Sequence, residues 1–328
     1  MARYIARRVV YMVFVFFVLS IILYFLFNLI PGDPVAAQLQ PLMDEMTAEE
    51  YEIRYNQLRS QMGLDDPLIV RYARWVTGML SGDLGQSHRY RRPVADVIVT
   101  PLRNTIFINI FAVAIGLAIT IPLGIFCAVK RNSILDKIVQ VLTIIGHSLP
   151  HFIICLIAIY YFAVIKGWFP VSGMNTPNFE GTGWELFKDT MYHLTLPLMV
   201  MTAASLAGMT RYIRAAMSDA LGMDYIKTAR AKGLKEKVVI FSHAWRNALL
   251  PIVTLIINWF MSIFSGSLVV ERVFNLHGMG KFFIDSLNNQ DYNVSIAIQM
   301  FYIIIALVGN LVTDLSYGLV DPRVRIDS

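Results

Sequence analysis

Residues 9–30 are 22 consecutive positions without a charged side chain, preceded by Arg3, Arg7 and Arg8. At about 1.5 Å per residue, a helix of that length crosses the roughly 30 Å hydrocarbon core of a bilayer, where a chain must satisfy its own backbone hydrogen bonds. A secretory signal is the rival reading, with Val35-Ala36-Ala37 as its cleavage site, but the apolar region of such signals runs only about 7 to 15 residues. The run therefore reads as a retained transmembrane helix. Five more apolar runs follow, over residues 104–129, 138–165, 192–213, 248–270 and 294–315. The expected fold class is all-α, a polytopic membrane protein of six transmembrane helices, and an even number of crossings puts both termini on one side of the lipid bilayer. Composition agrees: 56% of the residues are hydrophobic and 16% charged, with a mean hydropathy of +0.56, against about a quarter charged in soluble domains. The net charge of +5 does not indicate nucleic acid, because the basic residues are scattered between apolar runs and not gathered on one face. Cys127 and Cys155 both fall inside apolar runs, which suggests neither a disulfide framework nor a cysteine zinc site.

Short loops set the orientation, since positive charge is retained in the cytoplasm. On the side of the N-terminus lie Arg3, Arg7, Arg8, Lys130, Arg131, Lys137, eight basic residues of the segment 211–251, Arg323 and Arg325, sixteen in all. The opposite short loops hold four, Lys166, Lys188, Arg272 and Lys281. Both termini and the segment 211–251 are thus expected in the cytoplasm, in a multi-pass protein of the cytoplasmic membrane.

Two divisions are expected: residues 1–103, the first transmembrane helix plus a folded extracytoplasmic segment, and residues 104–328, a five-helix core with a cytoplasmic loop at 211–251. The outer segment reads as folded because it carries two helix signatures. Thr47 with Glu50 makes a capping box, Tyr51, Tyr55, Leu58 and Met62 form a stripe, and Gly63 stops the helix. Asp66-Pro67 then offers an N-cap with proline at the first helical position, Leu68, Tyr72, Trp75, Val76 and Met79 share a face, and Gly82 ends it.

The segment 211–251 is a polar island, with eight basic and three acidic residues between apolar runs. Within it Asp224 is expected to cap a helix whose C-terminal end carries Lys227, Arg230 and Lys232 and which stops at Gly233. Two to three turns are marginal alone in water, so the helix must dock on its own protein or on a partner.

The ordered string Asp224-Tyr225-Ile226-Lys227-Thr228-Ala229-Arg230-Ala231-Lys232-Gly233-Leu234, followed by His243-Ala244-Trp245-Arg246-Asn247-Ala248-Leu249-Leu250-Pro251, resembles the EAA-motif loop of ABC importer permeases, in the variant of the oligopeptide, dipeptide and nickel group. Where other importers of the class read Glu-Ala-Ala, this chain has Lys227-Thr228-Ala229, and the interval from Gly233 to Pro251 is longer; both departures look typical of the peptide group. Pro31-Gly32-Asp33-Pro34, Gly63-Leu64-Asp65-Asp66-Pro67, Gly82-Asp83-Leu84-Gly85-Gln86-Ser87, Glu271-Arg272-Val273-Phe274 and Gly278-Met279-Gly280 extend the resemblance through the chain. It implies a type I ABC importer transmembrane fold and a permease that is not itself an enzyme and binds no cofactor, ATP and Mg belonging to partner subunits. The implied partners are a homologous second permease, two ABC ATPase subunits and an extracytoplasmic substrate-binding protein. Asp224, Tyr225, Lys227, Thr228, Ala229, Arg230, Ala231, Lys232 and Gly233 would form the coupling helix that sits in a groove of the ATPase, with Ala229 small enough to let its backbone approach the groove wall. Peptides are the implied substrate; nickel chelates, glutathione and oligosaccharides are carried by relatives.

Polar residues inside the apolar runs are costly in lipid and should face the bundle interior. Asn109, His147, Ser148, His151, Asn258 and Gln299 are candidates for a translocation path, against the plainer role of hydrogen bonding between helices. Asn310 and Asp314 are further polar residues of this kind, and a secondary transporter using Asp314 as a proton site is the alternative from another class. Pro122, Pro150, Pro197 and Pro251 favour kinks. Three enzyme-like patterns fall short. His147 and His151 have the spacing of a helical zinc pair, but Ser148 stands where the general-base Glu belongs and Pro150 intervenes, so no metal site is expected. Gly278-Met279-Gly280-Lys281 has Phe282 in place of the phosphate-loop Ser or Thr, and Ser148 lacks the second glycine of a nucleophile elbow. With no nucleotide site in the sequence, transport driven by ATP needs hydrolysis on another polypeptide.

Overall fold

A computed structural model describes residues 2–320, so Arg323 and Arg325 lie outside the described residues. Within these residues the regular structure is helical apart from one isolated bridge between Gln86 and Pro93. The helices are α1 Ala2–Leu29, α2 Pro34–Leu39 with a 3-10 turn over Gln40–Glu45, α3 Ala48–Gln61, α4 Leu68–Leu80, α5 Val94–Val129, α6 Ile134–Ser148, α7 His151–Ala158 widening into a π-helix over Ile159–Ile165, and α8 Trp184–Gly222. They continue as α9 Asp224–Ala231, α10 Glu236–Val238 with a π-helix over Val239–Trp245, α11 Arg246–Ser262, α12 Leu268–Val273, α13 Met279–Asn288 and α14 Tyr292–Val320.

Four of these are long and apolar enough to cross a membrane: Ile5–Leu29, Val94–Val129, Trp184–Gly222 and Tyr292–Ser316. The remaining two expected crossings are bent pairs, Ile134–Ser148 with His151–Ile165 at 105° and Glu236–Leu249 with Pro251–Ser262 at 68°. The apolar run 138–165 is therefore not one straight helix. Leu149 is extended, its N–H closing the preceding turn on the Ile145 carbonyl, and Pro150, which has no N–H to continue the ladder, starts α7. The run 248–270 likewise ends its helix at Ser262, and its last residues belong to α12. Pro122 and Pro197, by contrast, sit inside continuous helices.

Residues up to 103 join with 278–307 in one compact unit, and 104–277 join with the stretch from 308 in a second. In the first unit, Tyr24, Phe27, Ile296 and Met300 form a buried cluster against which Leu68, Tyr72, Trp75 and Met79 of α4 pack, so the stripe read in α4 is a core face. A second cluster joins Val94 and Ile98 to Met279, Phe282, Val294 and Ile298. The Thr47 and Glu50 capping box is present in full. Asp66, expected as the N-cap of α4, instead pairs with Arg74 at 2.6 Å, and Pro67 occupies the cap position with its φ already near −53°. The stripe on α3 buries no residue completely; its Tyr55 hydroxyl donates to the Asp33 carboxylate, which also accepts from the N–H groups of Val35 and Ala36 as the cap of α2.

The second unit has two cores. One gathers Ile108, Cys155, Leu194, Leu196, Phe274 and Leu276. The other gathers Ile213, Met217, Ile226, Val239, Ala244 and Ile252 from α8, α9, the π-helix after α10, and α11. At Gly124, α5 and α8 come so close that a Cβ would lie 2.7 Å from Ile213 Cγ2 and 3.2 Å from the Thr210 carbonyl, the small-residue contact by which membrane helices pack. Asp136, fully buried in α6, accepts from Arg214 of α8 at 2.6 and 2.8 Å and from the Asn132 N–H at 2.9 Å.

Candidate functional site

The helix expected from Asp224 to Gly233 is α9, eight residues ending at Ala231. Its cap differs from the expectation: Met223 occupies the N-cap position, and Asp224, the first helical residue, lies where a negative charge meets the positive helix end and pairs with Lys227 at 2.8 Å. Its C-terminus is a Schellman motif. Gly233 has φ +76°, its N–H donates to the Arg230 carbonyl at 2.9 Å, and the Leu234 N–H donates to the Ala229 carbonyl at 3.4 Å. No atom lies within 4 Å of where a Gly233 Cβ would be, so glycine is required there by backbone conformation and not by crowding.

Ile226 and Ala229 are buried in the second core of this unit. Burial of Ile226 alone is worth about 1.5–3 kcal/mol, which answers how so short a helix persists. Ala229 thus points into its own protein, and the reading of it as the residue that meets a groove wall is corrected: its small side chain lies in the buried cluster that α9 shares with α8, the π-helix and α11. Two polar ties reinforce the seat. The Asn247 amide donates to the Tyr225 hydroxyl at 2.8 Å, and Arg230 bonds Glu236 at 2.6 and 3.2 Å, which raises the pKa of the guanidinium. With those positions inward or tied, the outward surface of α9 and its C-cap consists of Asp224, Lys227, Thr228, Ala231 and Lys232, together with the exposed edge of Tyr225. The sequence pattern had placed these residues on one helix; it gave no sign of the Tyr225–Asn247 and Arg230–Glu236 ties, which join positions 22 and six residues apart.

The six candidate path residues do not form one set. Asn109 is buried, and its amide donates to the carbonyls of Ser262, Ile263 and Ser265 at 3.1, 3.2 and 2.9 Å, sealing the C-terminal end of α11. Asn109 and His151 border one crevice of about 170 Å³ with Ser205, Trp259 and Ser262. His147 and Ser148 are exposed at the end of α6, where the Ser148 hydroxyl donates to the Ile144 carbonyl of its own helix at 2.8 Å. The break after Ser148 puts His147 and His151 on two helices at 105°, so they are not neighbours on one helical face. Asn258 is exposed on α11, and Gln299 is half-buried on α14 in the other unit.

Comparison with known proteins places this geometry. Over 326 residues the chain is 38% identical to the oligopeptide transport system permease protein AppB of Bacillus subtilis (strain 168), covering 99% of this chain and 100% of that protein. It is 32% identical to the glutathione transport system permease protein GsiC of Escherichia coli (strain K12) over 325 residues, 99% of each. In fold it is similar to a chain of the MetNI methionine ABC transporter, with a TM-score of 0.51 at 16% identity over 66% of this chain and 95% of that one. Residues 1–109 match the N-terminal profile of binding-protein-dependent transport system membrane components. Residues 120–326 match the inner membrane component of the same systems, and the chain belongs to that family, the membrane permeases of ABC importers.

Proposed function

We propose that this permease carries short peptides across the cytoplasmic membrane by alternating access, driven through α9 by ATPase subunits on separate chains that hold the ATP and Mg. The observation that carries the reading is the two-sidedness of α9. Its root, Ile226 and Ala229, is locked into a core shared with α8 and α11, while Lys227, Thr228, Ala231 and Lys232 face outward. A push on the outward face cannot be absorbed by α9 alone, because the close-packed root must move with it. Force delivered there reaches α8 and α11, which belong to the apolar segments that would rock between inward and outward states.

Partners follow from the same reading: a homologous second permease, two ATPase subunits and an extracytoplasmic binding protein, with α9 and both termini in the cytoplasm. Peptide cargo is supported by the similarity to AppB; the similarity to GsiC supports glutathione, itself a tripeptide, as the second candidate. The test is substitution on the outward face. Ala231→Trp on that face, and Gly233→Asp at the helix stop, where a Cβ costs about 1 kcal/mol, should leave the permease in the membrane while peptide uptake and peptide-stimulated ATP hydrolysis are lost. Uptake and hydrolysis at the unmodified level in both variants would make α9 an ordinary loop helix.

A further inference from the structure

The first unit encloses a pocket of about 500 Å³ where the C-terminal end of α1 meets α4, the start of α14 and the loop around His88. Its walls are of two kinds. Tyr24, Phe27 and Trp75 give it an apolar side, and Arg59, Arg71 and Arg74 bring three guanidinium groups to it. Two of the three are neutralised, Arg59 by Asp65 and Arg74 by Asp66, each at 2.6 Å. Arg71 is not. It donates to the Asn28 side-chain carbonyl at 2.7 Å and neighbours the Tyr24 hydroxyl, and among the described residues it has no carboxylate partner.

A half-buried cation without a counterion costs free energy unless something else supplies the charge. The pocket offers a second unmet group. The Tyr292 side chain lines the same space, and its hydroxyl is buried with no hydrogen-bond partner among the described residues. Tyr292 is also the first residue of the 29-residue helix α14, whose first turn borders the pocket through Tyr292, Asn293 and Ile296. The one carboxylate in the lining, Asp33, is occupied by the Tyr55 hydroxyl and two backbone N–H groups, so it leaves Arg71 unanswered.

Depth along α1 identifies the missing anion. Tyr24 and Asn28 lie in the last two turns of a crossing that ends at Leu29, the level of lipid phosphates and of the interfacial Tyr and Trp belt. α4 also leaves Ile69 and Val70 exposed beside Arg71, at 72% and 46%, as a helix lying against lipid would. We propose that this pocket holds the phosphate of a membrane phospholipid, with Arg71 and the Tyr292 hydroxyl as its donors and the first acyl carbons against Phe27 and Trp75.

The test uses the chain purified in its native membrane complex, stripped of lipid in detergent and titrated with phosphatidylglycerol, phosphatidylethanolamine or inorganic phosphate, with bound species read by native mass spectrometry. One phospholipid should be retained at a site that survives delipidation. Arg71→Gln should weaken it by about tenfold or more, as expected for loss of a charged hydrogen bond, and Tyr292→Phe by a smaller factor. Should Arg71→Gln fail to assemble, Tyr292→Phe, which keeps the ring packing, decides alone. Equal lipid retention in the assembled variants overturns the proposal, as does displacement of the lipid by millimolar inorganic phosphate, which would mark a site for free anions.

Discussion

Ala229 and Ala231 are the same residue two positions apart on one helix, and the fold gives them opposite surroundings: Ala229 is buried at 5% exposure and Ala231 is outward. Ala229→Asp would place a carboxylate in the apolar cluster around Val239 and Ala244, at a cost of several kcal/mol, so folded yield should fall. Ala231→Asp should leave yield intact and reduce uptake, a contrast measurable by size-exclusion profiles of the tagged permease beside a peptide uptake assay. If both variants express equally well, the burial of Ala229 does not hold α9. Gly124 is a second test of close packing. Gly124→Val must push α5 from α8 at Ile213 and Thr210, costing about 1–3 kcal/mol and lowering the melting temperature of the purified permease, and an unchanged melting temperature would rule out that contact. The buried pair of Asp136 and Arg214 makes a third. Asp136→Asn alone leaves Arg214 with an uncompensated charge and should destabilise by about 3–5 kcal/mol, whereas the double change Asp136→Leu with Arg214→Met should recover much of that loss. Neither Gly124 nor this pair was legible in the sequence. One is a single glycine in a helix that tolerates glycine elsewhere, and the other joins charges 78 positions apart.

Elements were legible where the signal was local. The Thr47 and Glu50 box, the stops at Gly63 and Gly233 and the apolar face of α4 all depend on residues within a turn or two of each other, and each is found as read. The breaks at Pro150 and Pro251 were legible as kinks but not as bends of 105° and 68°, because bend angle is set by what the second half packs against and not by the missing N–H. The stripe on α3 is an inward face buried only in part. Tyr51, Tyr55, Leu58 and Met62 are half-buried and no residue of α3 is fully buried, while Ile53, off the stripe, is 54% exposed beside a groove bordered by Leu39, Leu42 and Leu58. In the assembly proposed above, such a surface suits docking of the binding protein. Ile53→Asp should therefore leave the complex assembled and reduce capture of the loaded binding protein in a pull-down, while full capture would leave α3 without that role. Tyr55→Phe acts on the segment itself. Burial raises the Asp33 pKa, but the Tyr55 hydroxyl, the Val35 and Ala36 N–H groups and Arg59 outweigh it and hold the carboxylate below its ordinary 3.8. That contribution is present above the ordinary value and fades as pH falls through the lowered one, so removing the hydroxyl should shrink the stability lost on acidification.

For the molecule as a whole, six apolar runs correspond to four helices long and apolar enough to cross a membrane and two bent pairs, and the sixteen-to-four division of basic residues predicts which ends lie in the cytoplasm. The two counts are independent, since one rests on hydropathy and the other on charge, and they can be tested together. Lys232 follows α9 and Lys166 follows α7, and both side chains are exposed. Between them run the loop after α7 and one uninterrupted crossing, α8, so they must emerge on opposite faces if α8 spans once. Cys127 and Cys155 are fully buried and can be replaced by Ala to give a background without thiols, at the modest packing cost of losing one sulfur each. In that background Lys166→Cys should react with an impermeant maleimide in intact cells, and Lys232→Cys only after the membrane is opened. Reaction of both from outside would mean that α8 does not cross, and reaction of Lys232→Cys alone would mean that the whole charge-based orientation is inverted. Either outcome would carry α9 away from the compartment where ATP is made, and with it the coupling role proposed for its outward face.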